Sequence, residues 1–171
     1  YKHVVVSEHN PFDVVQTNII GLENIIRAAT ACNVKYILFA SSDKAVNPTN
    51  VMGASKLMGE KLITAANIIK DSSDVIFSNI RFGNVIGSRG SVVPHFTKHI
   101  MNGGPVTITD MRMTRFIMTV SRVADMVLES IMIAKGGEVF VPRMPVIKIP
   151  LLAEVMIELL APKYGYNVSD I

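Results

Sequence analysis

The first half of the chain alternates short apolar runs with segments in which apolar residues recur at helical spacing. Apolar, partly β-branched runs at residues 4–6, 35–40 and 75–82 predict buried strands. Between them, the spacing predicts amphipathic helices over residues 13–29 and 51–69, with Asp13 and Gln16 as a capping box for the first. A strand–helix–strand–helix–strand order is typical of an α/β fold with a parallel sheet and helices on both faces.

The second half of the chain is less regular. Its spacing predicts a short helix that begins at Pro94 and ends at residues 103–104, and two more helices over residues 121–135 and 151–160. Apolar runs predict two further strands, at residues 105–109 and 138–141. We see no repeat, low-complexity segment or linker that divides the chain.

Polar residues follow the predicted strand at residues 35–40, where an open α/β sheet binds its ligands. The segment SSDK at residues 41–44 places a carboxylate next to an amine, and such a pair can act as general acid and general base. A solvated loop in which Asp43 caps a turn fits the same residues. Lys56 lies one helical turn after Met52, and it either reaches a cofactor above the strand ends or is an ordinary surface lysine.

A glycine-rich segment, RFGNVIGSRGS at residues 81–91, begins at the end of the next predicted strand. Its glycines would let the backbone approach a ligand closely, and Arg89 could bind phosphate. A dinucleotide fingerprint is excluded, because that pattern opens a long helix and needs an acidic residue about 20 positions later. A phosphate-binding loop and a plain turn both remain open for this segment.

Three further features have two interpretations each. Arg112 and Arg115 suit a diphosphate ligand, or they belong to a solvated basic loop. His95 and His99 share a predicted helix face, but zinc hydrolases need a glutamate beside the first histidine and a third ligand, so we expect no metal site. Cys32 ends an apolar helix, and we expect a core residue rather than a nucleophile.

Composition narrows the class of protein. With 171 residues, 49% hydrophobic and 18% charged, the chain is a folded domain rather than a disordered one. One cysteine excludes an internal disulfide framework. A net charge of +3 and 6% aromatic residues do not indicate a nucleic-acid binder. The most apolar stretch, residues 116–134, contains three charged residues, whereas a membrane span needs roughly 20 nearly uncharged ones.

Together, five segments of the sequence resemble one family over almost the whole chain. They are NPFDVVQTNIIGLENIIRAA, ASSDKAVNPTNVMGASK, RFGNVIGSRGSVVPHF, TITDMRMTRFIMT and GGEVFVPRMP. The chain resembles the CapD-like nucleotide-sugar 4,6-dehydratases of polysaccharide biosynthesis, a branch of the extended short-chain dehydrogenase/reductases, and in particular UDP-N-acetylglucosamine 4,6-dehydratases. The SDKAxNPxN and GSRGSVVP patterns distinguish this branch from plain epimerases, which lack the adjacent Asp and Lys.

The resemblance implies a redox-neutral dehydration of a UDP-HexNAc to a UDP-4-keto-6-deoxy-HexNAc. A hydride leaves C4 of the sugar for bound NAD or NADP, water is eliminated across C5–C6, and the hydride returns to C6. The resemblance also implies site residues. The catalytic set is Ser42, Asp43, Lys44, Met52 and Lys56. The cofactor-binding set is Ser41, Lys56, Phe82, Asn84 and Val85. The substrate-binding set is Asn84, Arg89, Ser91, Thr109 and Arg115.

Met52 departs from the pattern of the superfamily, which usually has a tyrosine at this position to assist removal of the C4 hydroxyl proton. A thioether is neither an acid nor a base, so another group must take this role. A subset of the CapD-like branch also has methionine here, and the departure is therefore compatible with activity. We hypothesise that Lys44 or Ser42, directly or through water, is the base, a hypothesis that Met52→Tyr and a measurement of C4 oxidation would test.

The resemblance also sets the expected organisation. We expect a Rossmann-like, doubly wound parallel sheet, with residues 1–90 as the later part of an NAD(P)-binding domain. Residues 91–171 are expected to be mostly a substrate-binding region, with parts that return to the Rossmann domain. The glycine-rich phosphate loop of this fold would precede Tyr1, so we expect a piece of a longer enzyme that is inactive in isolation.

Partners, location and alternatives follow from the same resemblance. We expect a UDP-sugar substrate, no nucleic acid, a homo-oligomer of the parent enzyme and a cytoplasmic location, with or without a membrane anchor outside the sequence. The alternatives are a nucleotide-sugar epimerase or C5-inverting dehydratase of the same family, and a non-catalytic nucleotide-sugar-binding protein.

Overall fold

Residues 1–70, 73–88 and 90–171 are described by a computed structural model, in which the chain divides into two units. Unit 1 contains Tyr1–Phe82 and Val123–Arg143, and unit 2 contains Gly83–Arg122 and Met144–Ile171. The helices are α1 (Val4–His9), α2 (Pro11–Val14), α3 (Gly21–Ala31), α4 (Val51–Ile69), α5 (Val92–Met101), α6 (Val120–Ile133) and α7 (Ile149–Leu160). The strands are β1 (Tyr36–Ser42), β2 (Ile76–Phe82), β3 (Asn84–Val85), β4 (Thr114–Met118), β5 (Val139–Phe140) and β6 (Val146–Lys148).

Unit 1 is built on a parallel three-stranded sheet in the order β1–β2–β5. Helix α4 connects β1 to β2, as a parallel pair requires. Its buried residues recur every three or four positions and pack over the sheet, with Ile63, Val75 just before β2, and Phe77 of β2 in one core. The predicted α/β class with a parallel sheet is confirmed.

Unit 2 contains a second small sheet in the order β3–β4–β6. β3 runs parallel to β4, and β4 runs antiparallel to β6. Its core lies between α5 and α7, where Phe96, Ile100, Ile149 and Met156 are buried. The assignment of cofactor binding and substrate binding to separate parts of the chain stays a prediction.

The strand predicted at residues 4–6 is wrong, because these residues lie in α1. Ser7 is the fully buried residue of this helix, whereas Val5 and Val6 are exposed. The Ser7 hydroxyl donates to the carbonyl of His3, as in a helical turn. β-Branched residues favour strands only where a pleated, partly buried surface receives them, and here the valines face outward from a helix.

The strand predicted at residues 105–109 is also wrong. Pro105 has no N–H to give to a ladder, and Val106 and Ile108 instead pack against the α5–α7 core. The strand of this region is instead β4, which begins five residues after the predicted one ends and was predicted as a loop. β6 was not predicted either.

Several smaller differences concern the ends of elements. The helix predicted over residues 13–29 consists of α2, a π-helical stretch at Val15–Ile20, and α3. The expected capping box is absent, because α2 begins after Asn10 and the Asp13 carboxylate accepts from the Tyr1 hydroxyl. α5 begins at Val92 rather than Pro94. Cys32 is exposed, so its expected burial in a core is wrong.

The helices of the described part of the chain include none that is long and apolar enough to cross a membrane.

Candidate active site

The polar segment after β1 folds into a single helical turn at the carboxyl end of the sheet. Ser42 precedes the turn Asp43–Ala45, and its hydroxyl accepts from the backbone N–H of Lys44 at 3.2 Å. The same hydroxyl donates to Oδ1 of Asp43 at 2.9 Å. Ala45 is fully buried and anchors the turn. The turn therefore fixes three predicted catalytic residues against the end of β1.

Asp43 and Lys44 form an ion pair within this turn. Lys44 Nζ lies 2.9 Å from Asp43 Oδ1, and the two side chains are 31% and 19% exposed, for Lys44 and Asp43 respectively. A pair that is neither buried nor fully solvated can reach a ligand while water is partly excluded. The catalytic role of the pair stays a prediction.

The first turns of α4 are fixed by hydrogen bonds to Asn50, Glu8 and Asn18. The Asn50 side chain accepts from the N–H of Gly53 at 2.8 Å, as an N-cap does. Glu8, at the end of α1, accepts from the N–H of Val51 at 2.6 Å. Ser55 donates to the carbonyl of Met52 at 2.7 Å and accepts from the Asn18 amide at 2.9 Å. The start of this helix is thus held in one position relative to the π-helical stretch.

Lys56 lies on the next turn of α4 and reaches the carboxyl end of β1. Its Nζ donates to the carbonyl of Ala40 at 3.0 Å and lies 4.8 Å from the centre of the Phe39 ring. Burial lowers the pKa of the Lys56 ammonium from its ordinary value. An ammonium has three N–H donors, and this contact uses one of them.

Met52 is buried, with 4% of its surface exposed. It follows Asn50–Val51 at the start of α4 and lies one turn before Lys56. A thioether has no proton to exchange in any environment, so the identity of the C4 base stays a prediction.

Gly53 lets α4 approach the turn that carries Lys44. A Cβ built on Gly53 would lie 2.5 Å from the backbone oxygen of Lys44 and 3.3 Å from the Asn50 side-chain oxygen. The first of these is a backbone atom, so a side chain could enter only if the turn or the helix moved. The short distance between α4 and the turn that carries Asp43 and Lys44 is therefore possible only because residue 53 is a glycine.

We expect Gly53→Ala to lower the free energy of unfolding by about 1–3 kcal/mol, as overpacking does. Gly21→Ala is the matched control, since a Cβ there would make only an ordinary 3.5 Å contact with the Gln16 carbonyl. That change should be neutral or stabilising, because alanine is the better helix former. Urea unfolding of both variants checks this, and equal midpoints for the two would contradict the close approach.

An ion pair between buried Glu60 and partly buried Arg81 lies between α4 and the sheet. Arg81 donates from Nε and Nη2 to the two carboxylate oxygens of Glu60 at 2.7 and 2.6 Å. The Ser41 hydroxyl donates to the same carboxylate. Burial would raise the pKa of Glu60, but the hydrogen bonds from Arg81 and Ser41 and the charge of Arg81 outweigh it and hold that pKa below its ordinary value.

Sequence reasoning missed Glu60, and it included Arg81 only as the first residue of the RFGNVIGSRGS segment, without a role. A signal was available: Glu60 falls in the buried periodicity of α4, and Arg81 falls in a strand that reads as buried. A charge at a position that reads as buried predicts a partner of opposite charge, although the pattern does not say which residue that partner is. Ser41 was predicted to bind a cofactor, and the structure bonds its hydroxyl to Glu60 instead of leaving it exposed; its predicted role is not tested.

The structure places the predicted residues in both units. Unit 1 gathers one group at the carboxyl ends of β1 and β2, where Ser42 and Phe82 are register partners. This group comprises Ser41, Ser42, Asp43, Lys44, Met52, Lys56 and Phe82.

In unit 2, Asn84 and Val85 form β3, and Arg115 lies in β4, where its guanidinium donates to the Thr114 carbonyl. Thr109 lies in a bend after the irregular segment that follows α5. Arg89 lies outside the described residues.

Ser91 immediately precedes α5, at the N-cap position. Its hydroxyl oxygen is buried, and it has no hydrogen-bond partner among the residues that the structure describes. The predicted substrate-binding role of Ser91 is not tested by this observation.

His95 and His99 share a face of α5, as predicted, with ring centres 4.3 Å apart. His99 Nδ1 is 2.9 Å from the carbonyl of Pro105. Within the described ranges, no group of three or more histidine, cysteine, aspartate or glutamate residues is placed to hold a metal ion.

Comparison with known proteins gives a family match over nearly the whole chain. Residues 1–169 match the family described as polysaccharide biosynthesis protein. An uncharacterized membrane protein of Methanocaldococcus jannaschii is 50% identical over 170 residues, which cover 99% of this chain and 51% of that protein. A UDP-N-acetylglucosamine 4,6-dehydratase (inverting) of Campylobacter jejuni is 45% identical over 171 residues, 99% of this chain and 50% of that enzyme.

A solved structure agrees with this match. The X-ray structure of Pen from Bacillus thuringiensis superposes with a TM-score of 0.93 at 49% identity, over 97% of this chain and 51% of that one. The chain spans about half the length of the curated relatives named above.

Proposed function

The chain belongs to the polysaccharide biosynthesis protein family, and from this premise we propose that the protein is a nucleotide-sugar 4,6-dehydratase. The substrate we propose is a UDP-HexNAc, with UDP-N-acetylglucosamine as the first candidate. The name of the Campylobacter jejuni relative supports this choice, at 45% identity over 171 residues.

The observation that carries the proposal is the Asp43–Lys44 pair at the end of β1. Elimination of water across C5–C6 requires one group that accepts the C5 proton and one that gives a proton to the departing C6 hydroxyl. A carboxyl and an amine 2.9 Å apart hold one transferable proton and one proton-accepting lone pair between them. The pair can therefore supply both halves of the elimination, and the Ser42 hydroxyl on Asp43 Oδ1 orients the carboxylate.

A nicotinamide cofactor fits the residues of unit 1. Lys56 holds its ammonium at the carboxyl end of a parallel strand, which is where this architecture binds dinucleotides. We propose that Lys56 binds the ribose hydroxyls with its remaining donors, and that its charge favours deprotonation of a neighbouring hydroxyl. When bound, NAD or NADP supplies reversible hydride transfer, which makes the overall dehydration redox-neutral.

The test uses the longest reading frame that contains this sequence, expressed and incubated with UDP-N-acetylglucosamine and NAD or NADP. We expect a UDP-4-keto-6-deoxy-HexNAc, identified by NMR from its C6 methyl signal and ketone hydrate. Incorporation of solvent deuterium at C5 would report the elimination step directly. A product with inverted C4 and an intact C6 hydroxyl would show an epimerase instead, and binding of UDP-sugar with no conversion would show a non-catalytic protein.

Met52→Leu is expected to retain turnover within a few-fold of the unchanged enzyme. Both side chains are apolar, and exchange of leucine for buried methionine usually costs less than about 1.5 kcal/mol in stability. The measurement is the rate of keto-sugar formation, with an unfolding curve for each protein. A loss of activity as large as that of a catalytic residue, with folding intact, would show that the thioether itself is needed and that Lys44 or Ser42 does not suffice.

A further inference from the structure

Glu60 and Arg81 form an oriented ion pair between α4 and the sheet. The residue Glu60 is 3% exposed, and the side chain of Arg81 is 20% exposed. Two parallel N–H···O bonds, at 2.7 and 2.6 Å, fix both the distance and the plane of the carboxylate. Such a pair constrains geometry more tightly than apolar packing of the same volume.

The pair connects three elements at the end that carries the catalytic residues. Ser41 of β1 and Arg81 of β2 are register partners in the parallel sheet, and both donate to Glu60 of α4. Ser41 directly precedes Ser42, Asp43 and Lys44, the catalytic residues proposed for this segment. One carboxylate therefore joins the last residues of β1 and β2 to the helix above them.

α4 contacts β1 a second time through Lys56, which lies one turn before Glu60. Lys56 Nζ bonds to the carbonyl of Ala40, and Glu60 bonds to the hydroxyl of Ser41, the next residue of the strand. The two contacts set the height and rotation of α4 over the strand end. Any change in the second contact displaces the first, because both belong to one rigid helix.

Stability alone does not account for the ion pair. Replacement of a buried ion pair by apolar residues of similar volume is often neutral or stabilising. A buried pair is thus better explained by the geometry that it imposes than by the energy that it adds.

We propose that Glu60 and Arg81 are positioning residues that hold the Ser42–Lys44 turn and the Lys56 ammonium in register for catalysis. This inference rests on the proposed dehydratase function. Neither residue touches the substrate in this proposal; Glu60 acts through Ser41 and through the placement of α4, and Arg81 acts through Glu60.

The test is Glu60→Gln, which keeps the shape of the side chain and removes its charge. The amide keeps one acceptor oxygen and replaces the other with an NH2 group, so it cannot accept all three hydrogen bonds that Ser41 and Arg81 donate. We expect kcat to fall about 10²-fold, the cost of a misplacement of roughly 1 Å, and KM for UDP-N-acetylglucosamine to stay within about twofold. Arg81→Lys keeps both charges but loses the bidentate contact with the Glu60 carboxylate. We therefore expect it to fold more readily than Glu60→Gln and to lose kcat by a smaller factor than that variant.

Ile63→Ala is the matched control, because Ile63 is fully buried on the same helix, belongs to the apolar core with Val75 and Phe77, and has no charge. It should lower the unfolding midpoint and leave kcat per folded enzyme unchanged. If Glu60→Gln keeps the kcat of the unchanged enzyme, or if Ile63→Ala loses as much, the ion pair is merely structural and the proposal is overturned.

A second readout separates this inference from the function it rests on. If the unchanged enzyme converts no nucleotide sugar, the proposed function fails, and the crystal structure of Glu60→Gln decides the inference alone. We expect the contact between Lys56 Nζ and the Ala40 carbonyl, 3.0 Å here, to be lost or lengthened by about 1 Å in that variant. An unchanged contact would overturn the positioning role.

Discussion

Replacement of Lys44 by methionine is expected to reduce dehydration about 10²–10⁴-fold, the usual contribution of a positioned acid or base. Methionine has nearly the length of lysine but carries no exchangeable proton. Asp43 would then lose the partner that lies 2.9 Å away, and the turn would hold only one of the two proton-transfer groups. Because the backbone of the turn is capped by Ser42 rather than by the lysine side chain, we expect folding to be retained.

The measurement is single-turnover formation of the keto-sugar, together with the exchange of solvent deuterium into C5. Both should fall together in Lys44→Met, while the affinity for UDP-N-acetylglucosamine changes little. Lys163→Met is the control, since Lys163 is exposed and follows α7 in unit 2; it should act like the unchanged enzyme. Full activity of Lys44→Met would refute the assignment of Lys44 as a proton-transfer group. Another group would then have to act with Asp43 in the elimination.

Local patterns were sufficient to predict β1, α4 and β2 of unit 1. The apolar run that became β1 and the helical spacing that became α4 each identify an element without knowledge of its neighbours. The polar turn at residues 41–44 could be located as well, since a parallel sheet opens its ligand site after such a strand. The order of elements then supplied the parallel pairing that is observed between β1 and β2.

The errors lie where pairing with a distant segment decides the structure. The run at residues 105–109 and β4 are both rich in strand-forming residues, and only the availability of β3 and β6 as partners selects the second. In α1 the neighbouring helix α4 offers a backbone N–H to Glu8, a contact that spans 43 residues of sequence. No local pattern contains that information, because propensity gives way to tertiary context.

The candidate site shows the same division. Asp43 and Lys44 are adjacent in the chain, so their pairing could be read from the sequence. Glu60 and Arg81 are 21 residues apart, and they meet only because β2 lies beside β1 under α4. Their pairing depends on the register of the sheet, which the hydrophobic pattern alone does not fix in strands buried on both faces.

Removal of the positive charge from the Glu60–Arg81 pair is expected to destabilise the fold far more than the same removal from an exposed pair. In Arg81→Met, the Glu60 carboxylate would stay buried with only the Ser41 hydroxyl as a described donor. Breaking a buried pair by removal of one partner costs about 3–5 kcal/mol. The same substitution in an exposed pair, Arg27→Met beside Glu23, should cost no more than about 0.5 kcal/mol.

The contribution of Glu60 to the free energy of unfolding should depend on pH with opposite signs in the unchanged protein and in Arg81→Met. In the unchanged protein, the pKa of folded Glu60 is below its ordinary value, so its contribution to stability is present above the unfolded pKa of about 4.3. That contribution is lost as pH falls through the folded pKa.

In Arg81→Met, burial without the guanidinium raises the pKa of Glu60 instead, and the folded state takes up a proton before the unfolded state does. Its stability deficit should therefore be largest near about pH 7 and shrink toward about pH 5, as the carboxyl group becomes neutral. Urea unfolding across this range, with Arg27→Met measured in parallel, gives the difference at each pH. A deficit that is constant with pH would show that lost packing, rather than an unpaired buried charge, is what Arg81 prevents.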